Sequence, residues 1–169
     1  MRAIFLLVIL GVCLSLGASQ PPQPDVTPVN YTDAGFQLEG YLSLPDVTPA
    51  PAVVIIPDWD GVNLYEQQRA TMIALDLGYV GFAADIYGAD KHNVTDMDER
   101  IALSGLYRDN STLFISRIKA AIDTVKSLSE VDNEKVAVIG YCFGGTFVCA
   151  FKVRASKRDS NIVLVGSCL

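Results

Sequence analysis

The sequence predicts a three-layer α/β/α domain on a mostly parallel sheet, entered through an antiparallel β-hairpin. Three observations carry this prediction. Unbroken apolar runs at 52–56, 80–84, 136–139 and 162–165 have the character of strands buried on both faces. Segments with helical periodicity separate them, and strands alternating with helices specify parallel pairing through right-handed crossovers. Ahead of these, two extended stretches flank Thr32-Asp33-Ala34-Gly35, which is a hairpin signal. With 169 residues, 50% of them hydrophobic, the chain can fill one core.

In chain order, Met1-Arg2, the apolar run Ala3–Leu16 and the small residues Gly17-Ala18 fit a secretory signal peptide spanning 1–18. The run is too short to cross a bilayer, which takes roughly 20 apolar residues. No membrane anchor is therefore expected once the signal is cut. Residues 19–28 are rich in proline and read as an extended spacer without a core of its own. The domain itself is expected over 29–169.

Within it, Val29–Tyr31 and Phe36–Leu44 form the hairpin. Phe36, Leu38, Gly40 and Leu42 alternate with Gln37, Glu39, Tyr41 and Ser43, as in a strand with one face covered. After the run Ala52–Ile56 and Pro57, a helix is expected from near Leu64. Asn63 and Glu66 would form its capping pair, Tyr65, Met72 and Leu75 its apolar stripe, and Gly78 its end. Val80–Ala84 leads to Asp85-Ile86-Tyr87-Gly88, then a charged loop and a short helix around Arg100. Leu113–Leu128 is the clearest helix, with Ile115, Ile118, Ile122 and Val125 on one face. The strand 135–140, a helix over about Thr146–Ala155 and the strand Ile162–Val165 complete the pattern.

Charge and cysteine usage narrow the function classes. The net charge is −6, one unit more negative once Arg2 leaves, and there is no basic run. Nucleic acid is thereby disfavoured as a partner. Sequons at Asn30, Asn93 and Asn110 suit a glycosylated protein of the secretory lumen or outside the cell. Beyond Cys13 in the signal stand Cys142, Cys149 and Cys168. An odd number leaves one thiol free or paired between chains. Cys142 is the candidate for the free one, and a Cys149–Cys168 bridge is conceivable.

Cys142 lies in Gly140-Tyr141-Cys142-Phe143-Gly144-Gly145, directly after the strand 135–140. A nucleophile flanked by small residues between strand and helix is the nucleophile elbow, which holds the central side chain exposed on a sharp turn. Through this segment, and through Leu38-Glu39-Gly40-Tyr41-Leu42 upstream, the chain resembles the dienelactone hydrolase family, a cysteine branch of the α/β-hydrolases, from about Val29 onward. The resemblance implies attack by Cys142 on an ester or lactone carbonyl, then release of the acyl thioester by water. It implies an oxyanion hole from the backbone N–H groups of Phe143 and Trp59. It also places Asp58 near the thiol, and it implies neither cofactor nor metal. A helix N-terminus would ease loss of the thiol proton, and a neighbouring carboxylate would oppose it.

The family's acid and histidine follow the nucleophile in chain order, and here neither has a match after Cys142. Asp159, the only acid there, precedes the final strand and is expected at the opposite sheet edge. His92, the only histidine, lies in a loop at the nucleophile's edge, where an isolated histidine between Lys91 and Asn93 reads as solvated. Asp60 reads as a solvated turn residue. Ala89 stands where the family carries a substrate-binding arginine. The chain thus reads as shortened relative to that family, with its last strands missing and Ile162–Val165 left as an apolar edge open to self-association. Two functions are expected to compete: a secreted ester or lactone hydrolase, and a non-catalytic secreted α/β binding or interaction module. A redox thiol is a weaker third, since there is no C-x-x-C.

Overall fold

The computed structural model describes residues 23–154 and 162–166. They form β1 (Thr27–Asp33), β2 (Phe36–Ser43), β3 (Ala50–Ile56), α1 (Leu64–Leu77), β4 (Val80–Ala83), α2 (Met97–Asp109), α3 (Ser111–Lys126), β5 (Val131–Gly140), α4 (Cys142–Arg154) and β6 (Ile162–Gly166). The signal segment, Cys13, Asp159, Cys168 and the side chain of Cys149 lie outside the described residues, and with them the Cys149–Cys168 pairing.

The six strands make one sheet in the order β1-β2-β4-β3-β5-β6. β1 and β2 form the expected antiparallel hairpin, and β2 meets β4 antiparallel. β4, β3, β5 and β6 run parallel, so their carboxyl ends share one edge. Alternate residues of β3 feed two cores. Val54 and Ile56 pack with Phe82, Val138, Phe114 and Ile118 under α3, while Ile55 packs with Ala83, Ala70 and Ile73 under α1. Helices on both faces of the sheet give the three layers.

Several boundaries differ from expectation for physical reasons. β1 begins at Thr27, inside the expected spacer, because Thr27 and Pro28 continue the ladder against Leu42 and Tyr41. Proline is tolerated there because β1 is an edge strand. Val26 packs against the second core, and the Asp25 amide donates to Thr71 Oγ1 at 3.0 Å. β5 starts four residues before the expected strand, Val131 pairing with Ala50 across a register shift.

α1 starts and stops as its caps require, with a complete Asn63–Glu66 capping box and Gly78 left-handed at φ 68°. Its face is rotated from the expected one. Tyr65, Met72 and Leu75 are exposed, and Glu66, Ala70, Ile73 and Ala74 face inward. The reason lies in β4, where a Cβ on Gly81 would collide with the backbone of Ala70. Such close approach requires small residues at the contact, so the alanines take the inner face and the bulky side chains turn out.

Candidate active site

The elbow is formed by the end of β5 and the start of α4. Cys142 has φ 47°, is exposed, and is itself the first residue of α4, four residues earlier than the expected start. Two glycines make the turn fit. A Cβ on Gly140 would stand 2.8 Å from the Gly144 carbonyl carbon, and one on Gly144 would run into the carbonyls of Ile56 and Pro57. Their absence lets the first turn of α4 lie against the end of β3. The loop after β3 is thereby brought beside the thiol.

The Trp59 amide donates to Asp58 Oδ1 at 2.6 Å, and the Phe143 amide donates to the same oxygen at 3.4 Å. Two backbone N–H groups from separate segments thus converge on one anionic oxygen next to Cys142. The Asp58 carboxylate fills that point of convergence. The Cys142 thiol is pushed up from its ordinary value, by lost hydration first, then by its hydrogen bond to Asp58 and the charge of that carboxylate. The Phe143 amide and Arg108 act the other way and do not prevail. The expected easing of proton loss by the helix is therefore outweighed in this arrangement.

The Asp58–Asn63 loop is held from both sides. Val94 and Asn93 donate their amides to the carbonyls of Asp60 (2.9 Å) and Val62 (3.1 Å). Asp60 is not a solvated turn residue but half-buried, with Arg100 Nη2 at 3.7 Å, and the Arg100 guanidinium lies over the Trp59 ring at 5.7 Å. Tyr87 donates its hydroxyl to the Trp59 carbonyl at 3.0 Å, anchoring the peptide that follows Trp59. Behind the elbow, Tyr87, Tyr107, Phe114, Phe143 and Phe147 form an aromatic wall. Arg108 lies over the Phe143 ring at 5.3 Å.

His92 is not solvated. Its Nδ1 lies 3.2 Å from the Tyr41 hydroxyl, and its Nε2, buried, lies 3.4 Å from Asp85 Oδ2. Asp85 is fully buried and accepts from the amides of Tyr87, Gly88 and Glu39. The nearby Asp85 carboxylate raises the His92 pKa, with the charges of Glu39 and Asp90 adding and burial opposing. Both ring nitrogens are thus turned toward Tyr41 and Asp85, and His92 serves to fasten its loop. Among the described residues no cluster of three or more His, Cys, Asp or Glu could hold a metal ion, and no helix is long and apolar enough to cross a membrane.

Tyr87, Arg100 and Arg108 are the residues of this neighbourhood that sequence reasoning left without a role. Tyr87 had a signal, its place in Asp-x-Tyr after β4. Arg108 had none, since only the packing of α2 puts it over Phe143.

Sheet order, elbow and converging amides together define an α/β-hydrolase fold. Comparison with known proteins narrows this: residues 38–167 match the model of the dienelactone hydrolase family, and the chain belongs to that family. A Synechocystis protein, provisionally named a carboxymethylenebutenolidase, is 31% identical over 127 residues, covering 72% of this chain and 51% of its own. Carboxymethylenebutenolidase 1 of Cupriavidus pinatubonensis is 29% identical over 140 residues, covering 79% of this chain and 58% of its own. Among solved structures, m3DLH superposes with a TM-score of 0.70 at 30% identity, over 77% of this chain and 54% of that one. A dienelactone hydrolase-like promiscuous phosphotriesterase from metagenomic libraries gives 0.72 at 29%, over 83% and 57%. The chain spans about half the length of the curated relatives it matches.

Proposed function

We propose that the chain acts on carboxylic esters or lactones through Cys142. The observation that carries this is the convergence of the Trp59 and Phe143 amides on one oxygen beside the thiol. In the first step the Cys142 sulfur bonds to the carbonyl carbon, and the carbonyl oxygen takes up the electron pair in the place Asp58 Oδ1 occupies. Asp58, hydrogen-bonded to the thiol, is the nearest acceptor for its proton. Collapse of the tetrahedral adduct breaks the carbon–oxygen bond of the ester, and the leaving alkoxide takes from Asp58 the proton that came from the thiol, leaving an acyl thioester on Cys142. Water then cleaves the thioester to a carboxylic acid and the free thiol. Acylation thus draws on groups assembled at the elbow, whereas among the described residues no imidazole is directed at Cys142 to activate the water. A single acyl transfer is therefore the step to measure. Mixing the protein with p-nitrophenyl acetate should release one equivalent of p-nitrophenolate and add one acetyl group to Cys142 by mass. Absence of the adduct, or the same burst from Cys142→Ala, would sink the proposal.

The relatives named carboxymethylenebutenolidase favour a lactone among small-molecule substrates. Secretion and glycosylation are part of the same reading. Asn30, Asn93 and Asn110 are all exposed, as glycan acceptors must be. The mass of protein secreted from a glycosylating cell, before and after glycosidase treatment, tests both. The second reading, an interaction module, draws on the far edge of the sheet. β6 pairs with β5 alone among the described strands, and Val163 on it is 62% exposed. Light scattering behind size exclusion distinguishes a self-associating chain from a monomer.

A further inference from the structure

A glutamate in a capping box normally stands at the surface, where it needs only to reach back to the N-cap amide. Glu66 does reach back, Oε2 accepting from the Asn63 amide at 3.0 Å, yet its side chain is 1% exposed. Among the described residues no lysine, arginine or histidine forms an ion pair with it. A buried carboxylate without a counter-cation is costly, and the cap alone does not require the burial. What surrounds the carboxylate is the loop that presents the Trp59 amide. Besides the Asn63 amide at the loop's end, the backbone of Asp58 at its start and of Glu66 itself favour its charge.

We infer that Glu66 is a positioning residue for the oxyanion hole, its ionised carboxylate fixing the Asn63 end of the Asp58–Asn63 loop so that the Trp59 amide is held toward Cys142. The inference rests on the acyl-transfer reading above. Charge-assisted hydrogen bonds from the loop amides are shorter and stronger than those a neutral carboxyl accepts. The hole should therefore be firmer when Glu66 is charged. Burial, with the negative charge of Asp60 adding to it, raises the carboxyl to about 7, so its charge changes near neutral pH. Arg100 of α2 sits at 3.7 Å from Asp60 on the other side of the loop, and Asp58 is the remaining acid of that loop.

Two reactions of the same thiol separate the hole from the nucleophile. Alkylation of Cys142 by iodoacetamide needs the thiolate but no oxyanion hole, whereas acylation by p-nitrophenyl acetate needs both. Their rate ratio between pH 6 and 8.5 isolates the hole. In the unmodified protein the ratio should rise about fivefold through neutral pH, the scale of replacing neutral by charged hydrogen bonds. In Glu66→Gln it should stay flat and low while alkylation is unchanged, and Glu66→Asp should restore part of the rise. A flat or falling ratio in the unmodified protein, or a rise that survives in Glu66→Gln, overturns the role of Glu66. An unmodified protein that alkylates but never acylates removes the acyl-transfer reading, and the positioning role with it.

Discussion

The site's chemistry is decided at three carboxylates and one thiol. Asp58 opposes ionisation of Cys142, so Asp58→Asn should move the midpoint of the pH profile of alkylation downward. An unchanged midpoint would mean the two side chains do not interact in solution. Glu66 acts on stability with the opposite sign to a salt-bridged acid. Its folded pKa lies above the ordinary value of 4.5, at about 7, so the folded state binds the proton more tightly and loses stability as pH rises from 4.5 through 7. At 1.36 kcal/mol per unit, that loss amounts to about 3 kcal/mol. Glu66→Gln cannot titrate, so its stability relative to the unmodified protein should grow by up to this amount between pH 4.5 and 8 in denaturant melts. A difference independent of pH would contradict the burial. His92, beside the third carboxylate, Asp85, works the other way. Its raised pKa contributes stability that is present below its ordinary pKa and lost as pH rises through the folded value. His92→Gln should therefore destabilise more at pH 5.5 than at pH 8.

At the scale of elements, the site depends on how closely backbones approach. α4 reaches β3 only because Gly144 lacks a side chain, its Cβ position being filled by the carbonyls of Ile56 and Pro57. Gly144→Ala should cost about 1–3 kcal/mol as an overpacking change. It should also slow acylation more than alkylation, since it displaces the Phe143 amide from the Trp59 amide; equal effects on both reactions would count against that geometry. The hairpin is fastened separately. Arg117 Nη1 pairs with Asp33 Oδ2 at 2.8 Å, and its guanidinium lies 4.1 Å from the centre of the Phe36 ring, so α3 holds the β1–β2 turn by one buried cation. Breaking a buried pair from one side leaves a charge uncompensated and costs about 3–5 kcal/mol. These contacts join residues 80 or more positions apart, and no local pattern announces them.

For the whole molecule, the decisive fact is that the parallel strands end at one edge. The loops after β3, β4 and β5 meet there, and among the described strands β6 lies at one flank of the sheet with Val163 exposed. If copies pair across that flank, light scattering should show an average mass that rises with concentration, and Val163→Lys should reduce it. A mass independent of concentration would dismiss edge pairing. The sequence by itself determined the strands, the capping box of α1 and the sharp turn into α4, because each is written in local periodicity or in a short run of small residues. It did not reveal which face α1 buries, since that is decided by Gly81 meeting Ala70 across the layer. Nor did it reveal that His92 turns to Asp85, that Asp60 pairs with Arg100, or that Asp58 Oδ1 sits between the two amides. Such facts arise from segments distant in the chain that converge on shared space. Burial raises both Glu66 and Cys142, with Asp58 adding to the shift of the thiol, and neither effect exists until the sheet has brought its loops together.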